Sequence, residues 1–357
     1  MNNLEYYFNQ PTPYSLNATD KKDKLFHHLS ALDELHYRSC KEYKKIVDGD
    51  NRTGWFENDL YLPVRLFKDY EIRSINKADI FKTLTSSGTT SQKVSKIYLD
   101  RETSKNQTKA LIKIMQNYLG KSRLPMLIID HPSVVKDRSL FSARGAGILG
   151  LSNFGRNHCY ALNDDMRIDI EKVKEFSERY NKMPIFIFGF TFMIWQYFIN
   201  ALIEKKIDID LSNAVLVHSG GWKKLENIAV DNDVFKKTIK KTCGIRRIHN
   251  FYGMVEQVGS IFVECEEGFL HTPDYADIKI FSASSFKQLP NGQKGVIGVS
   301  SILPSSYPGH RLLTEDFGTI YGEDDCKCGK KGKYFHVHGR IPKAEERGCS
   351  DTHTEVS

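Results

Sequence analysis

Three short, almost wholly apolar runs limit what this chain can become: Met126-Leu127-Ile128-Ile129-Asp130, Ile185-Phe186-Ile187-Phe188-Gly189 and Val215-Leu216-Val217-His218. A strand that meets water on one face alternates apolar and polar residues, whereas one covered on both faces reads as a continuous apolar run. Between the second and third runs, Phe192 to Lys206 carries its apolar residues at helical spacing. Strand, helix, strand, helix in that order predicts an α/β fold, with parallel sheet covered by helices. After Phe251 the texture changes to short strands broken by Gly, Pro and Asn. Leu289-Pro290-Asn291-Gly292 there is a hairpin-type turn, which predicts a β-rich, antiparallel subdomain. Ahead of both lies a helical segment, residues 1–75. In it Leu25, Phe26, Leu29, Leu32 and Leu35 recur at three- and four-residue steps, and Leu60 to Lys68 forms a Pro-containing connector expected to dock on the main body.

With 357 residues, 40% hydrophobic and 27% charged, the chain can bury one large core or two ordinary ones. No apolar run approaches the roughly 20 residues of a membrane span, and the N-terminus lacks the basic-then-apolar layout of a signal peptide. The chain is therefore expected to be cytoplasmic, without a membrane span. The formal net charge of +7 fits an anionic substrate such as a nucleotide and equally an ordinary surface. Lys236, Lys237, Lys240 and Lys241, followed by Arg246 and Arg247, form the densest basic patch. The first four have helical spacing and read as a solvated helix face, and with no nucleic-acid-binding motif, no nucleic-acid partner is expected. Seven cysteines, an odd number without a secretory signal, are read as reduced thiols whose special roles are metal binding or nucleophilic chemistry.

Three segments carry chemistry. In Thr85-Ser86-Ser87-Gly88-Thr89-Thr90-Ser91-Gln92-Lys93, hydroxyls, a flexible glycine and a lysine are the means of wrapping polyphosphate oxygens. The Walker spacing is absent, and alone such a turn also reads as a plain surface loop. In Asn250-Phe251-Tyr252-Gly253-Met254-Val255-Glu256, an aromatic before glycine can lay a ring against a base, and the carboxylate three residues on can hold Mg²⁺. In Leu312-Leu313-Thr314-Glu315-Asp316-Phe317-Gly318, an acid after an apolar strand can accept two ribose hydroxyls, or simply form a turn.

In their order and spacing these segments resemble the adenylate-forming superfamily of acyl- and aryl-CoA ligases, luciferases and peptide-synthetase adenylation domains. The resemblance covers roughly residues 80 to 345. It adds Gly220 and Gly221, in His218-Ser219-Gly220-Gly221-Trp222, as the glycine turn between acyl pocket and adenine, and Gly339-Arg340 as the hinge. It implies an adenylating core at 76–338 with ATP and Mg²⁺ as cofactors. Ser86, Ser87, Gly88, Thr89, Thr90 and Lys93 would lie at the phosphates, Tyr252 and Gly253 by the adenine, Glu256 on the metal, and Asp316 and Arg340 on the ribose side.

A narrower resemblance is carried by Pro63-Val64-Arg65-Leu66-Phe67-Lys68, Ser219-Gly220-Gly221-Trp222-Lys223 and Arg347-Gly348-Cys349. These are similar to the acyl-protein synthetase family, the fatty-acid–luciferin-component ligases of bacterial luminescence. That resemblance implies activation of a fatty or other carboxylic acid as acyl-AMP and transfer to Cys349, here the catalytic nucleophile beside Glu256. It further implies delivery of the acyl group to a reductase or another acceptor protein. A thiolate suits the transfer, since its thioester stays reactive for a second step. Set against the wider family, residues 339–357 are expected to be a truncated hinge and mobile tail in place of the C-terminal domain. Lys343 and Lys93 are the candidates for the lysine that domain would supply. The rival expectations are an acyl- or aryl-CoA ligase, with coenzyme A replacing Cys349 as acceptor, and a non-catalytic adenylate-binding scaffold.

A last constellation is Cys265, His271, Cys326 and Cys328. Three thiolates and an imidazole suit a tetrahedral structural Zn²⁺, and the same residues read equally as plain thiols. Aromatic residues at Phe186, Phe188, Phe190, Phe192 and Trp195 fit an apolar acyl pocket or an ordinary core.

Overall fold

The computed structural model describes residues 4–49, 60–86, 93–136, 143–222 and 229–341. The described residues fall into two compact units: those up to 86, from 93 to 117 and from 252 to 341 form the first, and residues 118 to 251 the second. The change of sequence texture after Phe251 thus coincides with a unit boundary.

In the first unit, the helix Ala18–Ser39 begins where the Asn17 side chain accepts the Asp20 N–H. Its buried stripe is Leu25, Leu29, Leu32 and His36, joined by Lys21 and Asp33. Phe26 and Leu35, expected on that stripe, are 53% and 40% exposed. The 3.6-residue period turns them away from it, and polar residues that apolar counting cannot see complete the buried face. Asp33 accepts hydrogen bonds from His310 Nε2 at 2.7 Å, from Tyr43 at 3.0 Å and from Arg311. Burial would push its carboxyl up, but the His310 hydrogen bond and the Arg311 charge prevail and hold it at about 2. His36 donates from Nε2 to the Pro304 carbonyl and accepts from Ser74 at Nδ1, so it is buried neutral. The connector docks as expected. Strand β1 (Leu62–Pro63) pairs in parallel with Leu312 and Leu313, and Leu62 and Phe67 are each 1% exposed. Strands β2 (Lys82–Thr85) and β3 (Lys96–Leu99) follow as an antiparallel pair.

The second unit contains β4 (Leu124–Ile129), β5 (Gly155–Tyr160), β6 (Ile185–Phe190), β7 (Ala214–Ser219) and β8 (Arg247–Tyr252). Their order is β5-β4-β6-β7-β8, with every pair parallel. The three apolar runs are β4, β6 and β7, and every residue of β6 is buried. Parallel neighbours require crossovers, and helices fill them. The run from Thr191 to Glu204 is helical as expected, but Ile194–Ile199 is wound as π-helix. Helix Asn232–Cys243 starts at an Asp231 cap and stops at Gly244, whose φ of 77° suits the left-handed stop. It buries Phe235, Ile239 and Cys243 and exposes Lys237, Lys240 and Lys241, so the basic patch lies on a solvated helix face.

The chain then returns to the first unit with β9 (Phe262–Glu264), β10 (Leu270–His271), β11 (Ala276–Phe281), β12 (Gly295–Ser301), β13 (Arg311–Glu323) and β14 (Lys333–Arg340). Their order is β11-β12-β13-β14-β10-β9, all antiparallel. The turn at Pro290-Asn291-Gly292 lies between β11 and β12, and Gly292 has a φ of 83°. The fold is mixed α/β, as expected. Among the described residues, no helix is long and apolar enough to cross a membrane.

Candidate nucleotide site

The β2–β3 hairpin clasps the two ends of the Ser/Thr-rich loop. Ser86 N–H donates to the Ser95 carbonyl at 3.1 Å, and Ser95 N–H donates to Ser86 Oγ at 2.8 Å. Ser87, Gly88, Thr89 and Thr90 lie outside the described residues. Lys93 is on the exposed side of the hairpin's return, 3.2 Å from Asp69.

Glu256 sits in the 3₁₀ turn Val255–Gln257 and is buried. Tyr307 donates to its carbonyl at 2.9 Å, and Gln257 Nε2 donates to the Gly309 carbonyl at 3.0 Å, so the turn is fastened to the 307–309 segment. Burial pushes the Glu256 carboxyl above the usual range, partly offset by the nearby Ser95 hydroxyl and by Lys68. A cation placed against this carboxylate would relieve its desolvation. The hairpin that holds the loop thus also meets the predicted metal-binding carboxylate through Ser95, a residue not singled out from the sequence. Tyr307 and Gln257 were likewise not singled out. For Tyr307 the sequence signal is the turn punctuation Ser305-Ser306-Tyr307-Pro308-Gly309, whereas Gln257 simply follows Glu256.

Tyr252, Asp316 and Arg340 converge. The Tyr252 hydroxyl donates to Asp316 Oδ2 at 2.7 Å, and Asp316 stands opposite Arg340 in the β13–β14 ladder. A β-bulge between Phe317 and Gly318 follows Asp316 directly, a device that re-aims the neighbouring side chain. The Asp316 N–H is held by Thr314 Oγ1, and the Tyr252 ring lies near-parallel to Phe262 at 6.2 Å. Burial pushes the Asp316 carboxyl up, against the pull of Tyr252 and Arg340, and it raises the Tyr252 phenol well above its ordinary range. Gly253 is needed for space, since a Cβ there would come within 2.9 Å of Ile261. Gly339, just before Arg340, has a φ of 99°, a conformation other residues rarely adopt.

Gly220 and Gly221 belong to the second unit. Gly220 has a φ of 83°, and its carbonyl accepts from the Thr191 hydroxyl at 2.7 Å. With its one proton spent there, Thr191 accepts from His218 Nδ1 at 2.9 Å, which fixes the tautomer of a buried, neutral histidine. Thr191, absent from the sequence reading, therefore ties the end of β6 to the glycine turn after β7. Phe186 and Phe188 are core residues, whereas Phe190 lines Gly147 and Gly220.

The ligand atoms of Cys265, His271, Cys326 and Cys328 lie within 4.8 Å of one another in the first unit, close enough to share a metal ion. Cys349 and Lys343 lie outside the described residues.

A family model described as acyl-protein synthetase, LuxE, matches residues 5–356. Among curated proteins, the long-chain-fatty-acid–luciferin-component ligase of Vibrio harveyi is 24% identical over 138 residues, covering 38% of this chain and 35% of that protein. The protein of that name from Aliivibrio fischeri is 23% identical over 195 residues, covering 52% of this chain and 50% of that one. The chain thus spans half or less of the length of these relatives. Among solved structures, an open conformation of 2-hydroxyisobutyryl-CoA ligase in complex with 2-HIB-AMP and CoA matches with a TM-score of 0.69 at 14% identity, over 93% of this chain and 78% of that one. The same ligase in its postadenylation state matches with a TM-score of 0.68 at 15% identity, over 93% and 70%. At such identity the likeness is one of fold.

Proposed function

The chain belongs to the acyl-protein synthetase (LuxE) family, and from that premise we propose that it activates a carboxylic acid with ATP and stores the acyl group on Cys349. The observation that carries this reading is the convergence of Tyr252, Asp316 and Arg340 from three separate segments into one polar cluster. In the first half-reaction the acid's carboxylate attacks the α-phosphorus of ATP, and the bond to the β-phosphate oxygen breaks. Acyl-AMP forms and pyrophosphate leaves. Ser86 with Ser87, Gly88, Thr89, Thr90 and Lys93 binds the phosphates, and the ionised Asp316 accepts the ribose hydroxyls while Tyr252 orients it. Glu256 would hold Mg²⁺, which would supply charge neutralisation at the phosphates when bound. In the second half-reaction the Cys349 thiolate attacks the acyl carbonyl, giving a thioester and AMP. The names of the curated relatives support a long-chain fatty acid as the substrate class. A reductase or another acceptor protein would then take the acyl group from the thioester.

Intact-mass measurement after incubation with ATP, Mg²⁺ and a panel of acids tests this directly. One acyl mass, labile to neutral hydroxylamine, is expected on the wild type. Cys349→Ser is expected to keep acid-dependent ATP–pyrophosphate exchange and to lose the label. If Cys349→Ser labels like wild type, or if acyl transfer requires added coenzyme A, the Cys349 assignment fails.

A further inference from the structure

We propose that Cys265, His271, Cys326 and Cys328 hold one Zn²⁺ ion in a closed tetrahedral site that pins the β9–β10 turn to the β13–β14 turn. The four residues come from two turns about 60 positions apart in sequence. Two edges of the cluster are Cys265 Sγ to Cys326 Sγ at 3.9 Å and Cys328 Sγ to His271 Nε2 at 3.4 Å. With Zn–S of ~2.3 Å and Zn–N of ~2.0–2.1 Å, a tetrahedron has S···S edges of ~3.8 Å and S···N edges of ~3.5 Å. A disulfide would require about 2.05 Å between the sulfurs. These two edges match those of ligands around one small ion, and all four ligand atoms lie within 4.8 Å of one another.

The backbone is built for thiolates on both sides. Each turn reads Cys-x-x-Gly. Gly268 N–H donates to the Cys265 carbonyl at 3.1 Å and Gly329 N–H to the Cys326 carbonyl at 2.9 Å, with the glycines at φ of 87° and 80°. This winding turns backbone N–H groups onto the sulfurs. Glu267 and Phe269 donate to Cys265, Cys328 to Cys326, and Lys330 to Cys328. Hydrogen bonds of this kind favour sulfur in its anionic, metal-binding form and work against burial, which pushes all three thiols up.

His271 supplies an independent sign. It is fully buried, its Nδ1 has no hydrogen-bond partner, and its Nε2 faces Cys328. A buried imidazole with so little ordinary hydrogen bonding is accounted for if Nε2 is a ligand. Tyr334, near-parallel at 5.8 Å, and Tyr14, edge-on at 6.1 Å, hold the ring in place. Three thiolates and Zn²⁺ leave a net charge of −1, and Lys21 and Lys330 bring positive charge to the same histidine.

The role is structural. Four protein ligands leave no position for substrate. The β13–β14 ladder runs from Glu323↔Lys333 at the cluster's end to Asp316↔Arg340 at the other. That is seven residues of β13, or ~23 Å of strand at ~3.3 Å per residue. Sulfur-rich tetrahedral sites select zinc or iron over magnesium and calcium.

Protein purified without chelator, analysed for metals, is expected to carry one equivalent of zinc. Exchange with Co²⁺ is expected to produce the thiolate charge-transfer and tetrahedral d–d absorption bands of a sulfur-ligated ion. A strong chelator is expected to release the metal, lower the Tm and open three further thiols to a thiol reagent. Cys328→Ser, at the most exposed ligand, is expected to lose the equivalent, and should it fail to fold, the wild-type cobalt spectrum and chelator titration decide alone. Iron in place of zinc would overturn the assignment. So would a Cys265–Cys326 disulfide in non-reducing peptide mapping, or a metal-free protein whose Tm responds to neither chelator nor added Zn²⁺.

Discussion

Asp316 offers the most discriminating perturbation, because its carboxylate has two tasks that different substitutions separate. It accepts the Tyr252 hydroxyl at 2.7 Å, and in the proposed reaction it also accepts the ribose hydroxyls. Asp316→Ala removes both. Losing charge-assisted hydrogen bonds to the ribose costs about 1.5–3 kcal/mol of binding, which weakens ATP roughly 10- to 150-fold. The Tyr252 hydroxyl, left without its acceptor, costs a further ~1–3 kcal/mol of folding stability. Asp316→Asn keeps an acceptor for Tyr252 and removes only the charge. The folded Asp316 pKa is raised, chiefly by burial, so between the unfolded carboxyl's ~4 and the folded value the folded state is the better proton binder. As pH rises from the unfolded carboxyl's range through the folded value, that ionisation lowers stability, and it stays lowered at neutral pH. The Asn variant should therefore be at least as stable as wild type at pH 7 and yet bind ATP weakly. ATP affinity of the wild type should fall on acidification at a higher pH than for an ordinary carboxylate, and this limb should vanish in Asp316→Asn. Calorimetric titration with ATP and thermal melts of the three proteins give both quantities. Wild-type affinity in Asp316→Asn would refute the ribose role and leave Asp316 as a partner for Tyr252 alone.

Two further predictions concern stability. Gly259→Ala should destabilise the fold by about 2–4 kcal/mol, because a Cβ would lie 2.7–2.8 Å from the Gln107 backbone at a φ of 89°; a Tm within a degree of wild type would show that the 258–260 segment can shift away. Asp33, held at about 2, contributes stability present above its unfolded pKa near 4 and lost as pH falls from there toward 2, an amount of ~2 kcal/mol. Asp33→Asn should remove that acid-sensitive limb from a plot of Tm against pH and lower the Tm at neutral pH, since the buried charge that pairs with His310 and Arg311 is lost and one of the two carboxylate acceptors becomes an NH2 donor.

The segments of the proposed nucleotide site, around Ser86, Tyr252, Glu256, Asp316 and Arg340, could be picked out before any coordinates through the family resemblance they carry in order. That Tyr252, Asp316 and Arg340 come together is what folding adds. β4, β6 and β7 were legible for a different reason: burial on both faces writes an unbroken apolar run. The hairpin turn between β11 and β12 was legible because positive φ selects glycine. What escaped was polar and nonlocal. Phe26 and Leu35 were assigned inward because apolar counting cannot recognise that Lys21, Asp33 and His36 occupy the buried face. Ser95, Tyr307, Gln257 and Thr191 have no periodicity and no motif, and each matters only through a partner brought close by folding. The four proposed metal ligands were visible as a set, but whether they could share one ion depended on distances across two turns some 60 residues apart. Local composition decides which elements form, since each residue's burial and backbone conformation constrain its own type. Which polar groups meet is decided by the register of strands and the docking of helices, and that information belongs to pairs of residues rather than to either one.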